Sequence, residues 1–249
     1  MPVTAVSTDP LIKQAQQLMS ATLDLLFPPR CVTCGRPGVT LCQTCVEGFE
    51  RVTGPVCPMC GEPQTHDQRC QQCAIGQPAF QSVRSAFWFR GGVRRAIHAL
   101  KYQGRRGVAA ILAEAMARQL PPPGGQEASL CAVPLHPRRR AERGYNQADL
   151  LAAGLSRFWS LPVLPSEALI RHRETASQVG LDYAARQVNV EGAFVARREY
   201  IAGVAVVLVD DVCTTGATLD ACARALIAGG AACVSAVTLA RAVGATSDQ

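Results

Sequence analysis

Residues 204–218 read Val204-Ala205-Val206-Val207-Leu208-Val209-Asp210-Asp211-Val212-Cys213-Thr214-Thr215-Gly216-Ala217-Thr218. The opening apolar run is short and rich in β-branched residues, which predicts a strand buried on both faces of a parallel sheet. Two adjacent acids stand at its predicted end, and a loop of small and hydroxyl-bearing residues follows. Leu219, Cys222, Ala223, Leu226 and Ile227 then recur at helical spacing, and Gly229-Gly230 supplies a stop. Strand, loop and helix in that order point to the α/β class.

The chemistry of the stretch follows from its residue types. A Thr-Thr-Gly-Ala-Thr loop offers backbone N–H groups, hydroxyl donors and no bulk, and at a helix N-terminus it suits a phosphate monoester. Asp210 and Asp211 repel each other, and a cation or several hydroxyl donors would compensate them. A ribose diol with Mg²⁺ does both. The stretch therefore reads as a cradle for a ribose 5-phosphate. The competing reading is a plain strand-turn-helix capped by threonines, which leaves two acids at a buried strand end without partners.

Outward from this stretch, the N-terminal third carries a repeat. Cys31-x-x-Cys34-Gly35-x-Pro37 is echoed by Cys57-x-x-Cys60-Gly61-x-Pro63, and each is followed by a second pair, Cys42/Cys45 and Cys70/Cys73. Two such knuckles complete one closed, tetrahedral and therefore structural Zn²⁺ site. The repeat favours sequential pairing, with Cys31, Cys34, Cys42 and Cys45 on one ion and Cys57, Cys60, Cys70 and Cys73 on the other; interleaved pairing is the alternative. His66 reads as a surface residue. The other cysteines, Cys131, Cys213, Cys222 and Cys233, read as small core residues, Cys213 having no evident basic partner.

Length and composition bound the rest. A chain of 249 residues suits a medium domain plus a small module, and a net charge of +6 suits phosphate-bearing ligands better than a nucleic-acid platform. Neither a bilayer-spanning run nor a signal peptide is read, so no membrane insertion and a reducing cytoplasm are expected. Residues 1–28 read as an amphipathic helix capped at Asp9-Pro10, 29–77 as the double zinc module, and 78–249 as the α/β domain. Within that domain, strands are expected at 83–89, 130–133 and 233–239, and helices from Val93, over 108–120 and over 144–156. Arg138-Arg139-Arg140 follows the second of those strands; a solvated or nucleic-acid-binding face and an anion site both remain open for it.

At these residues the chain resembles a known family. Asp-Asp-x-x-Thr-Thr-Gly-x-Thr after an apolar strand is similar to the phosphoribosyl pyrophosphate (PRPP) motif of type I phosphoribosyltransferases. The Cys knuckles, Leu100-Lys101-Tyr102, Val133-Pro134-Leu135, Arg143-Gly144-Tyr145-Asn146-Gln147 and the run from Arg171 to Phe194 resemble the ComF/GntX branch. The resemblance implies a mostly parallel sheet flanked by helices with a mobile hood, and PRPP bound with Mg²⁺. It assigns Asp210, Asp211, Val212, Cys213, Thr214, Thr215, Gly216, Ala217, Thr218, Lys101, Leu135 and His136 to PRPP. Asp210, Asp211 and the hood residues Gln178 and Arg186 become the catalytic candidates. The expected reaction moves a phosphoribosyl group to an unidentified nitrogen acceptor with release of pyrophosphate, and the resemblance adds a link to DNA uptake and utilisation. The alternative is a PRPP-sensing adaptor that performs no chemistry, its zinc ribbons contacting DNA or an uptake protein. The phosphate loop is expected to lie in a different domain from the zinc module.

Overall fold

A computed structural model of the chain describes residues 28–66, 68–173, 190 and 192–242. The helix expected before residue 28 lies outside them, as do Gln178 and Arg186. The Cys-rich segment forms two small units of the same plan. Each is a knuckle closed by an antiparallel bridge, Arg30 to Pro37 and Val56 to Pro63. A short helix follows in each: α1 (Gln43–Glu47) and α2 (Gln71–Gly76).

The α/β domain then runs β1 (Val83–Trp88), α3 (Gly91–Tyr102), α4 (Val108–Gln119), β2 (Ala128–Ala132), α5 (Pro137–Arg143) and α6 (Gln147–Trp159). An antiparallel pair follows, β3 (Leu169–Arg171) and β4 (Phe194–Ala196), with the short α7 (Arg198–Ile201) behind it. The chain closes with β5 (Ala205–Cys213), α8 (Ala217–Ala228) and β6 (Cys233–Arg241). The main sheet has the order β1-β6-β5-β2, and every pairing in it is parallel.

Burial on both faces explains why β5 and β6 read as continuous apolar runs. Side chains alternate across a strand. Val207, Val209, Val237 and Leu239 face a layer built from Leu112 of α4 and Leu151 and Leu155 of α6. Val206, Leu208 and Ala236 face the opposite layer, with Cys222 and Leu226 of α8 and Phe194 of β4. Helices α4 and α6 approach closely because Gly154 has no side chain: a Cβ there would stand 2.4 Å from the Ala113 methyl.

Several boundaries differ from the sequence reading. β5 continues through Asp210 and Asp211 to Cys213, because β6 continues too and pairs Val212 with Ala240 and Cys213 with Arg241. Helix α3 begins at Gly91 rather than Val93. The arginine run is helical from Pro137, and α6 starts after Asn146, whose side chain caps it by accepting from Ala148 N at 3.2 Å.

Candidate functional site

The site lies at the carboxyl end of the sheet, where ligands gather in open α/β folds. The two acids point to opposite faces of β5. Asp211 is 2 % exposed and meets Lys101 of α3, Oδ2 to Nζ at 2.6 Å. Burial alone would lower the Lys101 pKa, but the Asp211 charge, their hydrogen bond and the Asp210 charge outweigh it and raise it. Asp210 Oδ1 accepts from Asp211 N at 2.8 Å. Burial first, then the neighbouring Asp211 charge, push the Asp210 carboxyl up to about 8, against the pull of Lys101. Unliganded, the pair is therefore short of positive charge on the Asp210 side. That is the polarity expected of a site completed by a cation or hydroxyl donors.

The loop after β5 delivers the next groups. Gly216 adopts φ +81°, which an L side chain rarely takes, and turns the chain into α8. Thr215 Oγ1 accepts from Ala217 N at 3.3 Å. Val212, Thr214, Thr215 and Thr218 are half-buried, whereas Cys213, Gly216 and Ala217 are buried. The predicted cradle is thus one continuous turn at a helix N-terminus.

Across from it, the residues after β2 are tied to β5, with Val133 N donating to Val209 O at 2.9 Å. Asn146 Nδ2 donates to Val133 O at 3.0 Å and to Asp149 Oδ1 at 2.9 Å. This fixes the loop carrying Leu135 and His136. His136 Nδ1 is buried and meets no hydrogen-bond partner among the described residues. The arginines divide by partner. Arg138 pairs with Glu142 at 3.2 Å and Arg140 with Asp149 at 3.3 Å. Arg139 and Arg143 instead line a groove of about 380 Å³ with Lys101, Tyr102 and Tyr145. Arg143 lies 5.4 Å from the centre of the Tyr102 ring, and Arg106 4.4 Å from that of Tyr145.

Each set of four cysteines forms one cluster, Cys31/Cys34/Cys42/Cys45 and Cys57/Cys60/Cys70/Cys73, so the pairing is sequential and not interleaved. The Sγ–Sγ distances are 3.8 Å for Cys31–Cys42 and Cys31–Cys45, 3.7 Å for Cys34–Cys42 and 3.6 Å for Cys60–Cys70. A tetrahedron of Zn–S bonds has edges of about 3.8 Å, so the clusters fit zinc. Cys42 N donates to Cys31 Sγ, and Cys70 N to Cys57 Sγ, both at 3.4 Å. Burial raises the Cys31 and Cys57 thiols, but backbone N–H groups outweigh it and bring each to about 6. Burial pushes Cys45 and Cys60 upward, so four packed thiols do not all ionise without a cation. His66 is exposed and outside both clusters.

Arg241 was not legible from its surroundings in the chain. It ends β6, is 1 % exposed, and donates from Nη1 to Cys213 Sγ at 2.9 Å and to Cys60 O at 2.8 Å. Cys213 is therefore buried, as read from the sequence, but it has the basic neighbour that the sequence did not reveal. The second cluster shares one core with Cys213 and Ala217, so the zinc module packs against this loop across the boundary drawn at residue 78.

The comparisons with known proteins agree with this layout. The double zinc ribbon domain matches residues 22–74, and the phosphoribosyl transferase domain matches residues 166–248. The chain is 34% identical over 234 residues to the DNA utilization protein YhgH of Escherichia coli, covering 87% of this chain and 99% of that one. The chain belongs to the ComF family. It is also 28% identical over 219 residues to competence protein ComFC of Bacillus subtilis, covering 83% of this chain and 86% of the relative. Among solved structures it is similar to the glutamine PRPP amidotransferase of B. subtilis, at 20% identity and a TM-score of 0.38, over 54% of this chain and 26% of that one. Zinc ribbons and a phosphoribosyltransferase-type sheet are thus the two parts of this ComF-family chain. No helix among the described residues is long and apolar enough to cross a membrane.

Proposed function

We propose that this ComF-family protein binds Mg²⁺–PRPP at the carboxyl end of β5 and transfers the phosphoribosyl group to a nitrogen acceptor, releasing pyrophosphate. One observation carries the reading: a half-buried acid and a buried one at a strand end abut a hydroxyl-rich turn at a helix N-terminus, and the one base within ion-pair distance among the described residues, Lys101, engages just the buried one. In this reading Asp210 and Asp211 accept hydrogen bonds from the ribose diol. Thr214, Thr215, Gly216 and Thr218 hold the 5-phosphate through N–H and hydroxyl donors. Val212, Cys213 and Ala217 supply the backbone of the turn.

Lys101, which pairs with Asp211, shares its groove with Arg139 and Arg143, and this is positive charge of the kind a departing pyrophosphate needs. The loop that follows β2 at this end of the sheet carries Leu135 and His136, whose ring Nδ1 is buried and unpartnered among the described residues. A bound Mg²⁺ would neutralise part of the pyrophosphate charge and favour its departure. Gln178 and Arg186 belong, on this reading, to a hood over the sugar that excludes water from the reacting carbon. Residues 29–77 serve as the zinc module and 78–249 as the transferase domain. A role in DNA utilisation or competence accords with the names of the relatives, and a cytoplasmic setting belongs to the same reading.

The experiment is a screen for pyrophosphate release from Mg²⁺–PRPP with amines, free bases and nucleotides as acceptors, beside calorimetry of PRPP alone. Acceptor-dependent release supports the transferase. Saturable binding without release leaves a PRPP-sensing adaptor, and no binding removes the reading altogether.

A further inference from the structure

We propose that Arg241 and the second cysteine cluster act as one positioning unit for the phosphate loop, so that zinc held by Cys57, Cys60, Cys70 and Cys73 keeps residues 213–216 in binding shape. The proposal rests on the reading of that loop as the phosphate cradle.

The argument starts from the register. Cys213, the last residue of β5, pairs with Arg241, the last residue of β6. The next residue binds there too, Ala242 N donating to Cys213 O at 2.9 Å. The point where strand becomes loop is therefore pinned through both its carbonyl and its thiol. The group that pins the thiol is a guanidinium with no access to water. Its fork also reaches Cys60 O at 2.8 Å and the Glu62 carboxylate. Those acceptors belong to the zinc knuckle itself, where Gly61 N donates to Cys57 O at 2.9 Å and Cys57 N to Glu62 O at 2.7 Å. Losing the metal frees the knuckle, and a buried guanidinium that loses two acceptors must move or bring in water. Either response disturbs Cys213.

A second set of contacts approaches the loop from its other end. Phe80, seven residues past Cys73, lies within 3.9 Å of where a Cβ on Gly216 would sit. Asp220 of α8 accepts from Ala79 N at 2.7 Å, and Arg224 donates to Gln77 O at 3.2 Å. A small cavity lined by Cys60, Cys73, Thr215 and Gly216 runs between metal site and loop. The chain leaving the second cluster is thus seated on the first turns of the helix that the phosphate would face. Arg241 is a positioning residue here: it reaches the ligand only through Cys213.

The test compares equivalent ligands of the two repeats, Cys57→Ser and Cys31→Ser, together with Arg241→Lys, which keeps the charge but not the fork. Two readouts are taken on folded protein, checked by circular dichroism. One is Mg²⁺–PRPP affinity by calorimetry. The other is the rate of Cys213 alkylation by N-ethylmaleimide, mapped by mass spectrometry without ligand. Cys57→Ser is expected to weaken PRPP and to speed Cys213 alkylation, each about tenfold, a usual size for coupling between sites. Cys31→Ser should leave both within about twofold, and Arg241→Lys should fall between. Equal Cys213 alkylation in the two cysteine variants, or parental behaviour of Arg241→Lys, overturns the proposal. Should the parent itself fail to bind Mg²⁺–PRPP, the cradle reading falls, and the alkylation contrast still decides the coupling.

Discussion

The two cysteine clusters have the same paired Cys-x-x-Cys knuckles and opposite surroundings. All four thiols of the second are buried, whereas in the first Cys34 is exposed and Cys45 half-buried. The first packs toward β1 and the start of α3. Phe49 sets its ring edge-on to Phe87 at 5.4 Å, Trp88 N donates to Glu50 O at 2.8 Å, and a Cβ on Gly92 would meet Thr33 at 3.1 Å. The second packs on Phe80, Cys213 and Ala217. A repeat therefore specifies ligand chemistry twice but not role. Role depends on which neighbours each copy acquires, and here one copy faces the sheet edge and the other the loop proposed to hold phosphate.

The largest expected effect tests that difference directly. Each closed zinc site contributes on the order of 10 kcal/mol of binding free energy that the folded ribbon uses. Protein purified without chelator should carry about two zinc ions, and a chromogenic chelator should draw them out in two phases. The first phase should come from the cluster with the exposed Cys34, and Cys31→Ser should abolish that phase alone. Release in a single phase would mean that burial does not separate the two sites.

The next effect acts on the cradle from the sheet face away from the second cluster. Asp211→Asn leaves the half-buried Lys101 against a neutral amide. Breaking a buried ion pair in this way costs about 3–5 kcal/mol of stability. The same change should weaken Mg²⁺–PRPP by about 1.5–3 kcal/mol, the range for a hydrogen bond to a charged group. Lys101→Met with Asp211→Asn should recover part of the stability and none of the binding. Thermal melts and calorimetry on the single and double variants check both. Zinc content should stay at the parental level, and a loss of zinc would show that the influence of the cradle spreads further than the Arg241 contacts.

A third effect is a proton. Asp210 titrates near 8 in the fold because burial and the Asp211 charge disfavour its ionised form. Its unfolded value is near 3.9, so the sign is that of a raised acid. The stabilising contribution of the protonated form is complete below about pH 4 and is lost as pH rises through about 8. A cation or a diol that needs the carboxylate must displace that proton. Binding of Mg²⁺–PRPP at pH 7 should release it, seen as a binding enthalpy that changes with the ionisation enthalpy of the buffer. Asp210→Asn should remove the dependence. An enthalpy independent of buffer in the parent would place the carboxylate outside the ligand contact.

What the sequence made legible follows from which signals are local. Val204–Val209 announced a strand because burial on both faces leaves only apolar residues. The cysteine spacing announced metal because ligand geometry constrains neighbours a few residues apart. The end of β5 was misplaced because Asp210 and Asp211 look like loop residues by polarity, while their strand conformation is set by β6 alongside. Arg241 was missed for the same reason. Its partners Cys60 and Cys213 stand 181 and 28 residues away, and an arginine past an apolar run reads as a strand stop. Lys101 was reached through resemblance alone, since its partner Asp211 lies far along the chain. A basic residue paired in strand register with a buried loop entry was the one available clue to Arg241, and it required the register to be known.

The smallest effects sharpen the comparison most, because they use one chemistry in two settings. Each cluster is joined to the α/β domain by a glutamate–arginine pair, Glu50 with Arg90 beside the first and Glu62 with Arg241 beside the second. The Glu50 and Arg90 side chains are 53% and 61% exposed, whereas that of Arg241 is 1% exposed. An exposed pair is screened by water and salt, so Glu50→Gln should change stability by less than about 0.5 kcal/mol. Glu62→Gln removes the charge facing a guanidinium that cannot reach water. The amide oxygen of Gln still accepts a hydrogen bond, so the expected loss is about 1.5 kcal/mol, the low end for a bond to a charged group. The two variants carry the same isosteric change, so denaturant midpoints compare them directly. Raising the salt should erase the small Glu50 difference and leave that of Glu62 in place. Equal, salt-sensitive losses would mean that water reaches Arg241 in solution and that the second cluster grips the phosphate loop no more firmly than the first grips α3.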